Sequence, residues 1–203
     1  MASVNVPTSW HQVTLRQFMA LRELAGEDGP ADEKVYATIS IMTGADPDEI
    51  RSWSMGTLDK VWTALDFLKH PERIGTKRKA PIKLLGKRFD VTSNPKRMAY
   101  GAWVDLMHFC KDEKVAEKNL HKSFACCLVE RGRWPWSKSK PYDGKEHEAM
   151  ADAILDLPIT TVKPHTDFFL RSYLLYSRRI LIYLELLRRV TKRRADSMQS
   201  MAG

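Results

Sequence analysis

The sequence predicts a mainly α fold, a multi-helix domain with one small β-hairpin and a long C-terminal helix. Three observations predict it. Over residues 167–194, DFFLRSYLLYSRRILIYLELLRRVTKRR, the residues Phe169, Tyr173, Tyr176, Ile180, Tyr183, Leu187 and Val190 recur at alternating steps of four and three, which sets them on one helical stripe. In the first third of the chain, helix-capping residues stand before apolar runs of the same period. Residues 82–91, IKLLGKRFDV, break that period and read as two short strands turning at Gly86 and Lys87.

Taken in order, Thr14 is an N-cap for a helix whose apolar side holds Leu15, Phe18, Met19 and residues 21–24, ending near Gly26. A second helix over 33–43 carries Val35, Tyr36, Ile39, Ile41 and Met42 and stops at Gly44. Asp46, Pro47 and Glu49 supply an N-cap, a proline at the first helical position and a capping-box glutamate, which starts a short helix through Trp53. Thr57 is expected to cap a fourth helix with Leu58, Val61, Trp62, Leu65 and Leu68 inward. Residues 13–68 thus form an acidic helical lobe. A basic loop over 70–80 follows, then the hairpin within 81–91; a lone hairpin is marginal in water and must lie on helices or join another sheet. The remainder, 96–195, is a basic helical part with helices over 98–109, 120–129 and 145–155. A polar segment, DEKVAEKN, separates the first two, and a short extended connection bracketed by Pro158 and Pro164 leads into the long helix. All 203 residues are read as a single domain.

Charge is distributed unevenly along the chain. The net charge is +8, yet the first 68 residues hold five basic residues against ten acidic ones, a net of −5, and the rest nets +13. No secretory pattern opens the sequence. The three cysteines, Cys110, Cys126 and Cys127, are odd in number and two are adjacent, which suits a reducing cytoplasm better than a disulfide framework. The 167–194 helix would run about 40 Å. Arg171, Arg178, Arg179 and Glu185 interrupt its apolar run well short of the roughly 20 residues a bilayer requires, so no membrane span is expected.

No stretch spells out a reaction. Gly86-Lys87 fails as a phosphate loop, because Pro81 stands where a glycine is required and Arg88 where a hydroxyl is. His108, Cys110, His121, Cys126 and Cys127 are metal-ligand types close in sequence, but neighbouring members point to different helix faces and read as structural. Helix capping accounts for Asp46, Asp48 and Glu49, and Glu146-His147-Glu148 reads as a solvated face. With neither a nucleophile elbow nor a zincin motif, no enzyme, cofactor or metal is expected. The candidate binding residues are Trp134 and Trp136, set among Arg131, Arg133, Lys138 and Lys140, and the basic end Arg188, Arg189, Lys192, Arg193 and Arg194. Aromatics among cations can stack on bases, plug a loop onto the core or anchor a protein interface. Cations in a last helical turn complement the helix dipole, although five in seven residues exceed what a cap needs.

The order of the pieces carries a resemblance. It runs through Val13-Thr14-Leu15-Arg16-Gln17-Phe18, the turn and helix Met42-Thr43-Gly44-Ala45-Asp46-Pro47-Asp48-Glu49-Ile50, and the hairpin Leu85-Gly86-Lys87-Arg88-Phe89-Asp90-Val91. A helix pair follows, then the Pro141-Tyr142-Asp143-Gly144 loop and Asp167-Phe168-Phe169-Leu170 opening the last helix. This order resembles small tailed-bacteriophage proteins of virion morphogenesis, of the tail assembly chaperone-like kind. The resemblance implies a non-enzymatic assembly or structural protein that binds other virion proteins, in the host cytoplasm during assembly or in the particle. The apolar surfaces of the first lobe and of the long helix would shield or template a partner's hydrophobic segment. The alternative is a nucleic-acid-binding virion or DNA-packaging protein that uses residues 77–79, 134–140 and 188–194. Oligomerisation stays open beside both.

Overall fold

The computed structural model describes residues 5–75, 81–92, 98–132 and 142–167. The chain divides into two compact units, Met1–Thr166 and Asp167–Gly203. The long helix expected beyond Asp167 lies outside the described residues, and so do the 76–80 linker, Trp134, Trp136 and the 188–194 basic end.

The fold is mainly α with one small antiparallel sheet. Helices α1 (Leu15–Gly26), α2 (Ala31–Thr43), α3 (Pro47–Arg51) and α4 (Met55–Ala64) come first. Thr14 closes a capping box with Gln17: its hydroxyl accepts from the Gln17 N–H at 3.2 Å, and Gln17 Oε1 accepts from the Thr14 N–H at 3.0 Å. The amide nitrogen of Gln17 then donates to the carbonyls of Ile41 and Met42, so one side chain serves the start of α1 and the end of α2. Gly44, at φ +74°, ends α2 in the left-handed conformation that glycine adopts without a Cβ clash.

Four boundaries depart from the sequence expectation in this part, the first being that α2 begins at Ala31, two residues before the expected start. Ser54 caps α4 through the Thr57 N–H at 3.3 Å, so the helix begins a turn earlier than Thr57 suggests. It ends at Ala64, and Leu65–Lys69 tightens into a 3₁₀ turn that carries Leu65 and Phe67 into the core. α3 stops at Arg51, with Asp46 Oδ1 accepting from the Asp48 N–H at 2.8 Å. A second 3₁₀ turn, Pro71–Ile74, occupies the start of the expected loop and buries Ile74.

Strands β1 (Ile82–Leu84) and β2 (Lys87–Val91) form the expected hairpin, but its turn is Leu85-Gly86, one residue earlier than read. Both turn residues have positive φ, +49° and +73°, which matches the strand twist in a two-residue turn and asks a conformation of Leu85 that only glycine adopts freely. Helix α5 (Tyr100–Phe109) follows. The supposed polar spacer is itself a helix, α6 (Glu113–Lys118), capped by Asp112 at the Val115 N–H.

The helix expected over 120–129 is shorter: α7 (Leu120–Cys126) gives way to a third strand, β3 (Leu128–Glu130). β3 pairs with β2 in the register Phe89–Glu130 and Val91–Leu128, and this answers the question of what supports the hairpin. Four consecutive residues of α7, Ser123 to Cys126, are buried, because α5 and α8 (Gly144–Leu155) pack on either side of it. A ninth helix, α9, described over 159–167, replaces the extended connection expected between Pro158 and Pro164. Pro164 is buried inside it and withholds one helical N–H.

Residues 13–68 do not keep a core of their own. One cluster runs from Trp10, Val13, Leu15, Ile39 and Ile50 through Phe89 and Phe124 to Ile154, Ile159 and Val162. Backbone bonds fasten the N-terminal segment to the α8–α9 junction: the Leu15 N–H donates to the Leu157 carbonyl at 2.9 Å, and the Ile159 N–H to the Val13 carbonyl at 2.8 Å.

Candidate functional site

Two places concentrate aromatic and polar side chains. The first is an apolar groove of about 390 Å³ in the N-terminal part. One wall is α1, whose Phe18, Leu21, Arg22 and Ala25 follow the i, i+3, i+4, i+7 spacing of a single helical stripe. The facing wall is Trp62 of α4 with Leu65 and Leu68 of the 3₁₀ turn, and Trp10 forms the floor. Trp10 is fixed by an indole N–H bond to the His70 carbonyl at 3.0 Å and by edge contacts to Phe18 and Phe67. Trp62 is not closed over in the same way and keeps 41% of its surface exposed.

Charge lies at the margins of this groove. Asp66 and Lys69 pair at 2.7 Å, and the lysine holds the Asp66 carboxyl below the usual carboxylate range. Arg22 is taken by Glu117 of α6. Beyond Ala25, where α1 turns into α2, Glu27, Asp28, Asp32 and Glu33 are all exposed, as is Glu23 earlier on α1, and none joins an ion pair among the described residues. Lys34, the base among them, donates to the Glu27 backbone carbonyl.

The second place is the interior around α7. Cys126 Sγ lies 3.2 Å from His147 Nε2, a pairing that could be mistaken for a nucleophile and its base. The same Nε2 is 3.0 Å from the Lys122 carbonyl, which can only accept, so Nε2 carries a proton and offers no lone pair to the thiol. Burial, reinforced by nearby Asp105, pushes the Cys126 thiol up to about 12, and burial raises Cys110 and Cys127 too. Neutral, enclosed thiols are poor nucleophiles and poor metal ligands. Tyr142 Oη donates to Asp105 Oδ2 at 2.6 Å, Cys110 meets the Ser123 hydroxyl at 3.4 Å, and the Phe109 ring stacks on His147 at 5.7 Å. This is a cross-braced interior. Among the described residues no group of three or more histidine, cysteine or acidic side chains is placed to hold a metal ion, and all three cysteines are free and buried.

His147 corrects the expectation of a solvated Glu146-His147-Glu148 face. It is 5% exposed because it shares the inward line of α8 with Met150, Ala151 and Ile154. The groove is what sequence reasoning missed: Trp62 and Leu65 read as ordinary core positions. No local signal marked it, since Met55, Leu58, Val61, Trp62 and Leu65 fall within about 120° of one helical face, the width of an ordinary core stripe. None of the predicted binding residues, from Trp134 to Arg194, lies among the described residues.

No family model, curated protein or solved structure matches this chain. Among the described residues no helix is long and apolar enough to cross a membrane.

Proposed function

We propose that this chain is a non-enzymatic assembly protein of a tailed bacteriophage, chaperone-like in tail or virion morphogenesis, and that it binds a hydrophobic segment of another virion protein in the host cytoplasm. The observation that carries the reading is the open groove between α1 and α4. A volume of about 390 Å³ falls within the roughly 300–1,000 Å³ typical of binding clefts. Each large apolar side chain buried there would contribute about 1.5–3 kcal/mol, while association costs at least about 4 kcal/mol, so several anchors on one segment are required. The resemblance in segment order to phage morphogenesis proteins supplies the setting. The test is co-expression of the tagged full chain with the proteins encoded beside it. Co-purification of an identified virion protein, lost in Trp62→Ala, supports the proposal; a monodisperse monomer that captures none of them overturns it.

The net +13 after residue 68 favours a second reading, in which the basic part contacts nucleic acid. Gel-shift titration at two salt concentrations separates the readings, because phosphate contacts weaken steeply with salt.

A further inference from the structure

The groove also carries information about the charge of its occupant, which builds on the docking role just proposed. We infer that it takes an amphipathic helix of a different protein, whose apolar stripe is flanked by lysine or arginine at the end that meets the α1–α2 turn. Three features lead there. The α1 wall presents Phe18, Leu21 and Ala25 at helical spacing opposite Trp62, Leu65 and Leu68, a trough matched by a helix that inserts side chains at i, i+3 or i+4, and i+7. One end of that wall runs into Glu27, Asp28, Asp32 and Glu33, exposed and outside the ion pairs among the described residues. Of the two bases near them, Arg22 is engaged by Glu117 on another helix and Lys34 donates to the Glu27 carbonyl, which leaves the carboxylates in excess. A carboxylate cluster in excess over its neighbouring bases among the described residues, beside an apolar groove, selects for cations.

The same charges argue against the rival occupants. Nucleic acid and anionic lipid surfaces are repelled from this face. A second copy docking through the same patch would bring two carboxylate clusters into one isologous interface, where like charges oppose association.

The experiment measures fluorescence anisotropy of labelled peptides of about 18 residues, five helical turns, against the full chain. One peptide places Leu and Lys at helical spacing, a second replaces Lys by Glu, and a third scrambles the first. The Leu/Lys helix should bind at least about tenfold tighter than either control, and more weakly as salt rises. Trp62→Ala should weaken it about tenfold, and the paired substitution Glu27→Lys with Asp28→Lys, on an exposed turn that far-UV circular dichroism will show to be folded, should abolish the preference over the Glu peptide. Equal binding of the Lys and Glu peptides, both lost in Trp62→Ala, overturns the charge inference and leaves the docking reading intact. Binding of the Leu/Lys helix that ignores both variants, or no peptide binding at all, overturns the inference. So does a dimer of the full chain that Trp62→Ala dissociates, which would make a second copy the occupant.

Discussion

In the groove, Trp62 keeps part of its ring in water and the charges stand on the rim; around α7, the polar atoms of Cys126, His147, Tyr142 and Asp105 are bonded to one another and to the backbone. Both regions are rich in aromatics, so composition does not separate them. What separates them is where their partners are. Apart from the buried His121 Nδ1, which has no hydrogen-bond partner among the described residues, these interior groups use their hydrogen-bonding capacity within the chain, so their chemistry is spent on holding α5, α7 and α8 together. The groove has apolar surface facing it from two walls and nothing of this unit filling the space, so its binding capacity is still open.

The interior is the region more sensitive to truncation of a side chain. Phe124 is 1% exposed at the middle of α7, in the cluster that joins the N-terminal helices to α8 and α9. Phe124→Ala should cost about 3–5 kcal/mol, measured as a fall in the urea unfolding midpoint. A loss below about 1 kcal/mol would mean that α7 is not the centre of the packing.

Alkaline pH acts on the same interior. The folded Cys126 thiol sits near 12, above an unfolded value of about 8.5, so the folded chain holds that proton more firmly. A raised folded pKa contributes stability that is complete below the unfolded value and erodes as pH climbs toward the folded one. Between about pH 8.5 and 10.5 the wild type should lose about 2 kcal/mol more than Cys126→Ala, read as the difference between their urea midpoints across that window. Parallel curves would show that the thiol is solvated in the native state.

The sequence made the helices legible wherever a cap and a period agreed. Thr14, Gly44 and Asp46 mark true ends because their chemistry is local, a side-chain oxygen or a positive φ acting within a few residues. It misread the segments whose state is decided at a distance. Leu128 to Glu130 continue an apolar helical pattern, yet they become a strand because β2 has a free edge beside them. Residues 159–163 lie between two prolines and read as extended, yet Ile159 and Val162 are needed in the core and are delivered there by a helix. The candidate site was hidden for the same reason. Nothing local distinguishes Trp62, left half open, from Trp10, which is closed over by Phe18, Phe67 and a carbonyl 60 residues away.

The smallest stability effect belongs to the groove, and it is the one that decides the contrast. Trp62→Ala removes a larger side chain than Phe124→Ala, but from a position 41% exposed, and alanine favours the helix it would sit in. The loss should be about 1 kcal/mol, well below that of the smaller but enclosed Phe124. If the groove is a docking surface, that variant unfolds at nearly the wild-type urea concentration and still fails to hold its partner. If Trp62 is instead a core residue seen with one edge bare, stability and binding fall together, by about the 3–5 kcal/mol expected of a buried tryptophan. Equilibrium unfolding and partner co-purification, run on the same preparation, distinguish the two, because a role in docking moves only the second.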